Sequence, residues 1–126
     1  MATSPNFAST VRAAAGALTT ADTSRTSPTN VVTIFTAGAS GSRIDEVNVI
    51  ATGTTTAGVV RLWIYTGSLY YLVEEVLVTA ITPSTTVATF STTLTFNNFM
   101  LPTGHSLRAT TNNSEGFNVV AFGGDF

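Results

Sequence analysis

Short runs of alternating hydrophobic and polar residues, separated by turn sequences, fill most of the chain after Asn30. Strands are expected where apolar side chains recur at every second position, because successive side chains of a strand point to opposite faces. The turn residues between them, mainly Gly, Pro and Asn, recur at intervals typical of a sandwich or barrel of short strands. The pattern predicts strands at residues 31–37, 44–52, 58–66, 69–79, 86–96, 105–111 and 117–123.

These predicted strands differ in how many of their faces are apolar. In residues 86–96, apolar side chains alternate with Thr and Ser, so one face is expected in a core and the other in water. Residues 59–65, VVRLWIY, are apolar on both faces apart from Arg61, and residues 69–79 are similar. A strand that is apolar on both faces needs two covering layers, and the second comes either from the same chain or from a partner.

The elements together predict an all-β fold, a jelly-roll-like antiparallel β-sandwich with an extended N-terminal arm. Residues 1–28 are rich in Ala, Ser and Thr and show no sustained alternation, so we assign them to the arm and residues 29–126 to the sandwich. An immunoglobulin-like sandwich is the nearest alternative fold. For the N-terminal segment there are two alternatives to an arm, namely a flexible tail and a first strand folded onto the same domain.

The composition fits a single β domain and limits its partners. The chain of 126 residues is 44% hydrophobic and 10% charged, and β-branched threonine makes up about a fifth of it. Five arginines and no lysine, with a formal net charge of −2, leave no basic stripe for nucleic acid. Because interfaces are depleted in lysine and enriched in arginine, this usage favours an interface-rich surface, with chance or genome bias as the alternative.

Candidate catalytic chemistry is sparse. Glu74 and Glu75 are neighbours on a predicted strand and therefore point to opposite faces, which excludes a paired carboxylate site. His105 is the single histidine, cysteine is absent, and neither a nucleophile elbow nor a phosphate-binding loop occurs. We therefore expect no catalytic residues, no metal site, no cofactor and no enzymatic activity.

The chain also lacks the sequence marks of membrane proteins and exported proteins. No run approaches the about 20 apolar residues of a membrane span. The N-terminus has no basic region of the kind that begins a signal peptide. We expect a soluble protein made in the cytoplasm, with neither a membrane nor a nucleic acid as its partner.

Three blocks of the sequence resemble small virion proteins of tailed bacteriophages and prophages. The blocks are RIDEVNVIATGTTTAGVVRLWIY, EEVLVTAITPS and LPTGHSLRATTNNSEGFNVVAFGGDF, at residues 43–65, 74–84 and 101–126. The resemblance implies a jelly-roll capsid decoration (cement) protein on the capsid exterior, bound to the major capsid protein. It also implies a homo-oligomer, with a trimer suspected, and it carries over no functional residues.

We assign candidate partner contacts to the arm and to the strand that is apolar on both faces. On that strand, aromatic rings could anchor an interface, and ordinary core is the alternative for them. The candidates are Phe7, Val11, Arg12, Leu18, Arg25, Trp63 and Tyr65. The rival function is a receptor-binding or carbohydrate-binding module at a tail tip or fibre, since jelly rolls serve many functions.

Overall fold

The computed structural model describes residues 10–126, and this part of the chain contains eight strands and no helix. β-branched and aromatic residues dominate the strands, while Gly, Pro, Asn and Ser are concentrated in the connections. The strands are β1 (Thr10–Leu18), β2 (Val32–Thr36), β3 (Ser42–Ala51), β4 (Gly58–Tyr65), β5 (Tyr70–Val78), β6 (Ser91–Leu101), β7 (Ser106–Thr111) and β8 (Phe117–Asp125).

The strands form two antiparallel four-stranded sheets. Sheet A has the order β1-β8-β3-β6, and sheet B has the order β2-β7-β4-β5. The pairs are nested, since β4 pairs with β5, β3 with β6, β2 with β7 and β1 with β8, and successive pairs lie in alternate sheets. A long hairpin rolled up in this way is a jelly roll, so the predicted fold class is confirmed and the immunoglobulin-like alternative is excluded.

The core lies between the two sheets and is built from the inward-facing residues of both. Val47 and Val49 of β3, and Val60 and Leu62 of β4, have no exposed surface. Their neighbours in sequence point outward, as the period of two requires. Burial of this apolar interior is the main favourable term that holds the sheets together.

All seven predicted strands exist, and six of them lie within two residues of their predicted ends. The exception is the strand predicted at residues 86–96, which is observed at Ser91–Leu101. Its start is later because the Ser84 hydroxyl accepts the Thr86 and Val87 backbone N–H groups and holds this segment in a turn. Its end is later because Asn98, with φ of 58°, absorbs a register shift, after which β6 pairs with β3 again.

The structure corrects the boundary of the predicted arm. Residues 10–18, assigned to an arm outside the core, form β1 and pair with β8 along their whole length. Leu18 is 1% exposed and belongs to the core. Gly16 allows β2 to pack closely beneath β1, because a Cβ at this position would lie 2.8 Å from side-chain atoms of Val32 and Ile34. The first-strand alternative is therefore the one observed for these residues.

Leu62 and Leu77 offer a matched test of which side chains face the core. Leu62→Ala should lower the free energy of unfolding by about 2–5 kcal/mol, because it leaves a cavity between the sheets. Leu77 lies on the outer face of sheet B and is 73% exposed. Leu77→Ala should therefore change the free energy of unfolding by less than about 0.5 kcal/mol. Urea denaturation followed by tryptophan fluorescence measures both, and equal effects would contradict the assignment.

Candidate functional site

Acidic side chains and the histidine do not converge in the part of the chain that the structure describes. Within residues 10–126, no group of three or more His, Asp or Glu side chains is placed to hold a metal ion. As predicted, Glu74 and Glu75 face opposite sides, since the β4 register puts Glu74 on the inner face and Glu75 on the outer face. His105 lies in the turn before β7, with Nδ1 3.5 Å from the Thr103 carbonyl oxygen. The remaining candidates for function are surfaces.

The outer face of sheet B carries an aromatic cluster formed by Trp63, Tyr65, Tyr70 and Arg108. Trp63 has no exposed surface, and its Nε1–H donates to the Thr110 hydroxyl at 3.0 Å. The rings of Trp63 and Tyr70 pack edge to face, with their centroids 6.2 Å apart. Arg108 lies 4.0 Å from the Tyr65 ring centroid and donates to the Tyr70 hydroxyl at 3.0 Å. The chain thus covers the second face of β4 with its own side chains.

Residues 19–31, which connect β1 to β2, cover another part of the same face. Arg61 is 2% exposed, and it donates from Nε to Glu75 at 2.9 Å and from Nη1 to the Asp22 carbonyl at 3.3 Å. Arg25 of the connection donates to the same Glu75 oxygen at 2.9 Å. The hydrogen bond from Arg25, and then that from Arg61, hold the pKa of Glu75 below its usual value against the opposing effect of burial.

Asp22 holds the β1–β2 connection in its folded form. Its Oδ2 accepts the backbone N–H groups of Thr29 and Asn30 at 2.6 and 2.9 Å, and its Oδ1 accepts that of Ser24 at 3.0 Å. Burial raises the pKa of Asp22, but these hydrogen bonds outweigh burial and leave the pKa below its usual value. The carboxylate is therefore the form that the fold stabilises.

The outer face of sheet A has a different character, and we call its hydrophobic surface the apolar face. β1 and β8 contribute most of its outward apolar side chains, and β3 contributes one more. The outward side chains of Asn48 and Asn118 lie among them. The apolar face consists of Val11, Ala13, Ala15, Ala17, Ile50, Val120 and Phe122. Val11 is 87% exposed, Ile50 41% and Phe122 37%. Among the described residues, charged side chains on this side of sheet A are confined to β3, near Arg43 and Glu46.

A shallow depression of about 280 Å³ adjoins the apolar face. Ile50, Val120 and Phe122 line it together with Asn48 and Thr93. The Thr93 hydroxyl donates to Asn48 Oδ1 at 2.7 Å, so these two polar groups already bind each other. The depression can receive an apolar side chain from a partner against Ile50, Val120 and Phe122.

The structure separates the candidate contact residues of the N-terminal segment. Val11 lies on the apolar face, where a partner can reach it. Arg12 points into the sandwich, donates to Asp125 at 2.8 Å and lies 4.1 Å from the Phe35 ring centroid. Leu18 is in the core and offers no contact surface, whereas 28% of the Arg12 side chain is exposed. The side chain of Arg25 is 59% exposed but engaged with Glu75.

The other candidate contact residues are Trp63, Tyr65 and Phe7, and they differ in their accessibility to a partner. Trp63 is completely buried by its own chain, so a partner could touch it only if the covering side chains moved. Tyr65 is half-buried, with Arg108 over its ring. Phe7 lies outside the described residues. The predicted contacts that the structure describes therefore do not form one surface, and among them Val11 lies on the apolar face.

Comparison with protein-family models, with curated proteins and with solved structures finds no match to this chain. In the described range, no helix has the length and apolar character that a membrane span requires. The surfaces of this chain are therefore the basis for inferring its function.

Replacement of Trp63 tests whether it acts in folding. Trp63→Ala should lower the free energy of unfolding of the isolated protein by about 3–5 kcal/mol, because it removes a buried ring and leaves Thr110 without its donor. Tyr65→Ala, which removes a half-buried ring from the same cluster, should cost less than half as much. Urea denaturation followed by circular dichroism measures both. A Trp63→Ala protein as stable as the parent would contradict this role.

The lowered pKa of Asp22 predicts a pH-dependent contribution to stability. A group whose pKa is depressed by folding stabilises the fold above its unfolded pKa, and this stabilisation is lost as pH falls through the folded pKa. Asp22→Asn should cost about 1.5–3 kcal/mol at pH 7, because an amide cannot accept every hydrogen bond of the carboxylate. The difference from the parent should shrink below about pH 4.

Asp45→Asn is the control for that experiment. Asp45 is half exposed and pairs with Arg43 at 2.8 Å. Its replacement should change the free energy of unfolding by less than about 1 kcal/mol. Urea denaturation at pH 7 and at pH 3 compares the two variants. An Asp22→Asn effect that is the same at both values would show that the charge is not its cause.

Proposed function

We propose that this chain is a non-enzymatic structural protein of a phage virion, a capsid decoration protein. It binds the lattice of the major capsid protein from outside, after synthesis in the host cytoplasm. The observation that carries this proposal is the apolar face of sheet A. The resemblance of the sequence to small virion proteins supports the same assignment.

The chemistry of the apolar face suits binding to a large scaffold. Its β1 part is a row of alanines, which is flat, and the depression beside Ile50 gives one place for a protruding side chain. Burial of uncharged carbon is favourable at about 25 cal/mol per Å². The β1 and β8 parts of the apolar face carry no charge that a partner would have to compensate, and Glu46 lies beside Phe122 at its β3 margin. A capsid repeats such a contact many times, so a modest affinity per copy stabilises the whole shell.

The aromatic cluster gives less support to the rival function, a receptor-binding or carbohydrate-binding module. Sugar rings stack on exposed aromatic faces, whereas here Trp63 is buried and Arg108 lies over Tyr65. Copy number separates the two functions in a purified particle. Hundreds of copies in a stained gel are expected of a decoration protein, and a handful would indicate a tail component.

Phage heads assembled without this protein provide a direct binding test of the apolar face. Ile50→Glu should weaken binding to such heads at least about tenfold, because a carboxylate would be buried without a partner. Leu77→Glu is the matched control, since Leu77 is exposed on the opposite side of the sandwich. Co-sedimentation of each folded variant with the heads measures occupancy. Equal binding by the two variants would contradict the proposed surface, and failure of the parent to bind would contradict the function.

A further inference from the structure

Residues 10–126 form four edge strands, and three of them carry features that prevent another strand from pairing with them. β2 has five residues and a register shift at Thr33. β5 carries Glu74 and Glu75 and has a register shift opposite Leu62. β6 is interrupted at Asn98, whose φ is positive. Short length, charge and irregular backbone are the devices by which natural sheets protect their edges.

β1 has none of these features. Its nine residues pair with β8 in one unbroken register and include neither proline nor lysine. Its one charged residue, Arg12, points into the sandwich and is neutralised by Asp125. Among the described residues, β8 is the only strand that hydrogen-bonds to β1, so the other edge of β1 presents free N–H and C=O groups. Such an edge is a template for one more strand.

We propose that β1 pairs with β1 of a second copy of this chain. The two strands run antiparallel about a two-fold axis at Ala14, and the two A sheets join into one continuous sheet. This association goes beyond the capsid proposal and does not depend on it, because it is a property of the purified chain.

The sequence of β1 is self-complementary in this register. On the outer face, Val11 lies opposite Ala17 of the second copy and Ala13 opposite Ala15. On the inner face, Arg12 lies opposite Gly16, which has no side chain to obstruct it. Each Arg12 is four residues, about 13 Å, along the strands from its copy, so the two guanidinium groups do not meet.

The size of the contact sets its expected strength. A single pair of nine-residue strands makes a narrow interface, smaller than the about 1,200–2,000 Å² of a stable complex. We therefore expect a monomer–dimer equilibrium that shifts with concentration. A two-fold contact closes on itself, so pairing through this edge stops at the dimer.

A charge-pairing experiment tests the partner and the register together. Ala13→Lys/Ala15→Lys places lysines opposite each other across the two-fold axis, whereas Ala13→Lys/Ala15→Glu places lysine opposite glutamate. Cross-strand pairs of like charge are destabilising and those of opposite charge are stabilising, so the dimer dissociation constant should rise roughly tenfold or more in the first variant and not in the second. Sedimentation velocity over a concentration series measures both. Thr95→Lys, on the outward face of β6, is the control and should leave the equilibrium unchanged.

The competing outcomes are distinct. A parent protein that stays monomeric at every concentration overturns the proposal, and so does a trimer or dimer that Ala13→Lys/Ala15→Lys leaves intact. Loss of the dimer in both double variants overturns the antiparallel register. Amide exchange adds a second readout, since β1 should gain protection as the dimer forms. Full protection of β1 in the monomer would mean that its own chain covers the edge, which also overturns the proposal.

Discussion

The packing of sheet A against sheet B decides which side chains are free for any other role. Side chains alternate between the two faces of each strand, so one set, such as Val47 and Leu62, is consumed by the core. The remaining surfaces are the two outer faces and the four strand edges. Both sheets bury their inward apolar side chains in the same core. The side chains of the two outer faces are therefore not constrained by the core and can differ in polarity.

The outer face of sheet B is completed by the chain itself. A buried arginine is tolerable only when its charge and its donors are matched, and Arg61 meets this condition through Glu75, Asn112 and the Asp22 carbonyl. The Asp22 carbonyl belongs to the β1–β2 connection, which the Asp22 side chain holds in place. No comparable segment within the described residues covers the apolar face of sheet A. The asymmetry between the two faces is therefore the main structural reason to look for a partner on sheet A.

Much of the fold could be predicted from the sequence, because the strands after Asn30 have clear turns and apolar periods. β1 could not, since residues 13–15 are all alanine and give no sign of which face is buried. Without a recognised β1, the apolar face was not visible either, because it requires β1 and β8 side by side.

The position of Trp63 shows a different limit of sequence reasoning. A strand that is apolar on both faces demands a second cover, but only contacts distant in sequence reveal what supplies it. Here the cover comes from Tyr70, Arg108 and residues around Asp22, none of which is adjacent to Trp63 in the chain. The choice between an internal cover and a partner therefore depended on tertiary structure, and the internal cover is the one observed.

The geometry of a β-strand allows the two proposed contacts to coexist on β1. Its hydrogen-bonding groups lie in the plane of the sheet, whereas its side chains stand perpendicular to that plane. A second copy would use the edge, and a capsid surface would use Val11 and the alanines, so the two partners would not compete for the same atoms. Joining two A sheets would also bring two apolar faces together without covering either. Self-association would then increase avidity for a repeating lattice, since two copies would bind as one bivalent unit.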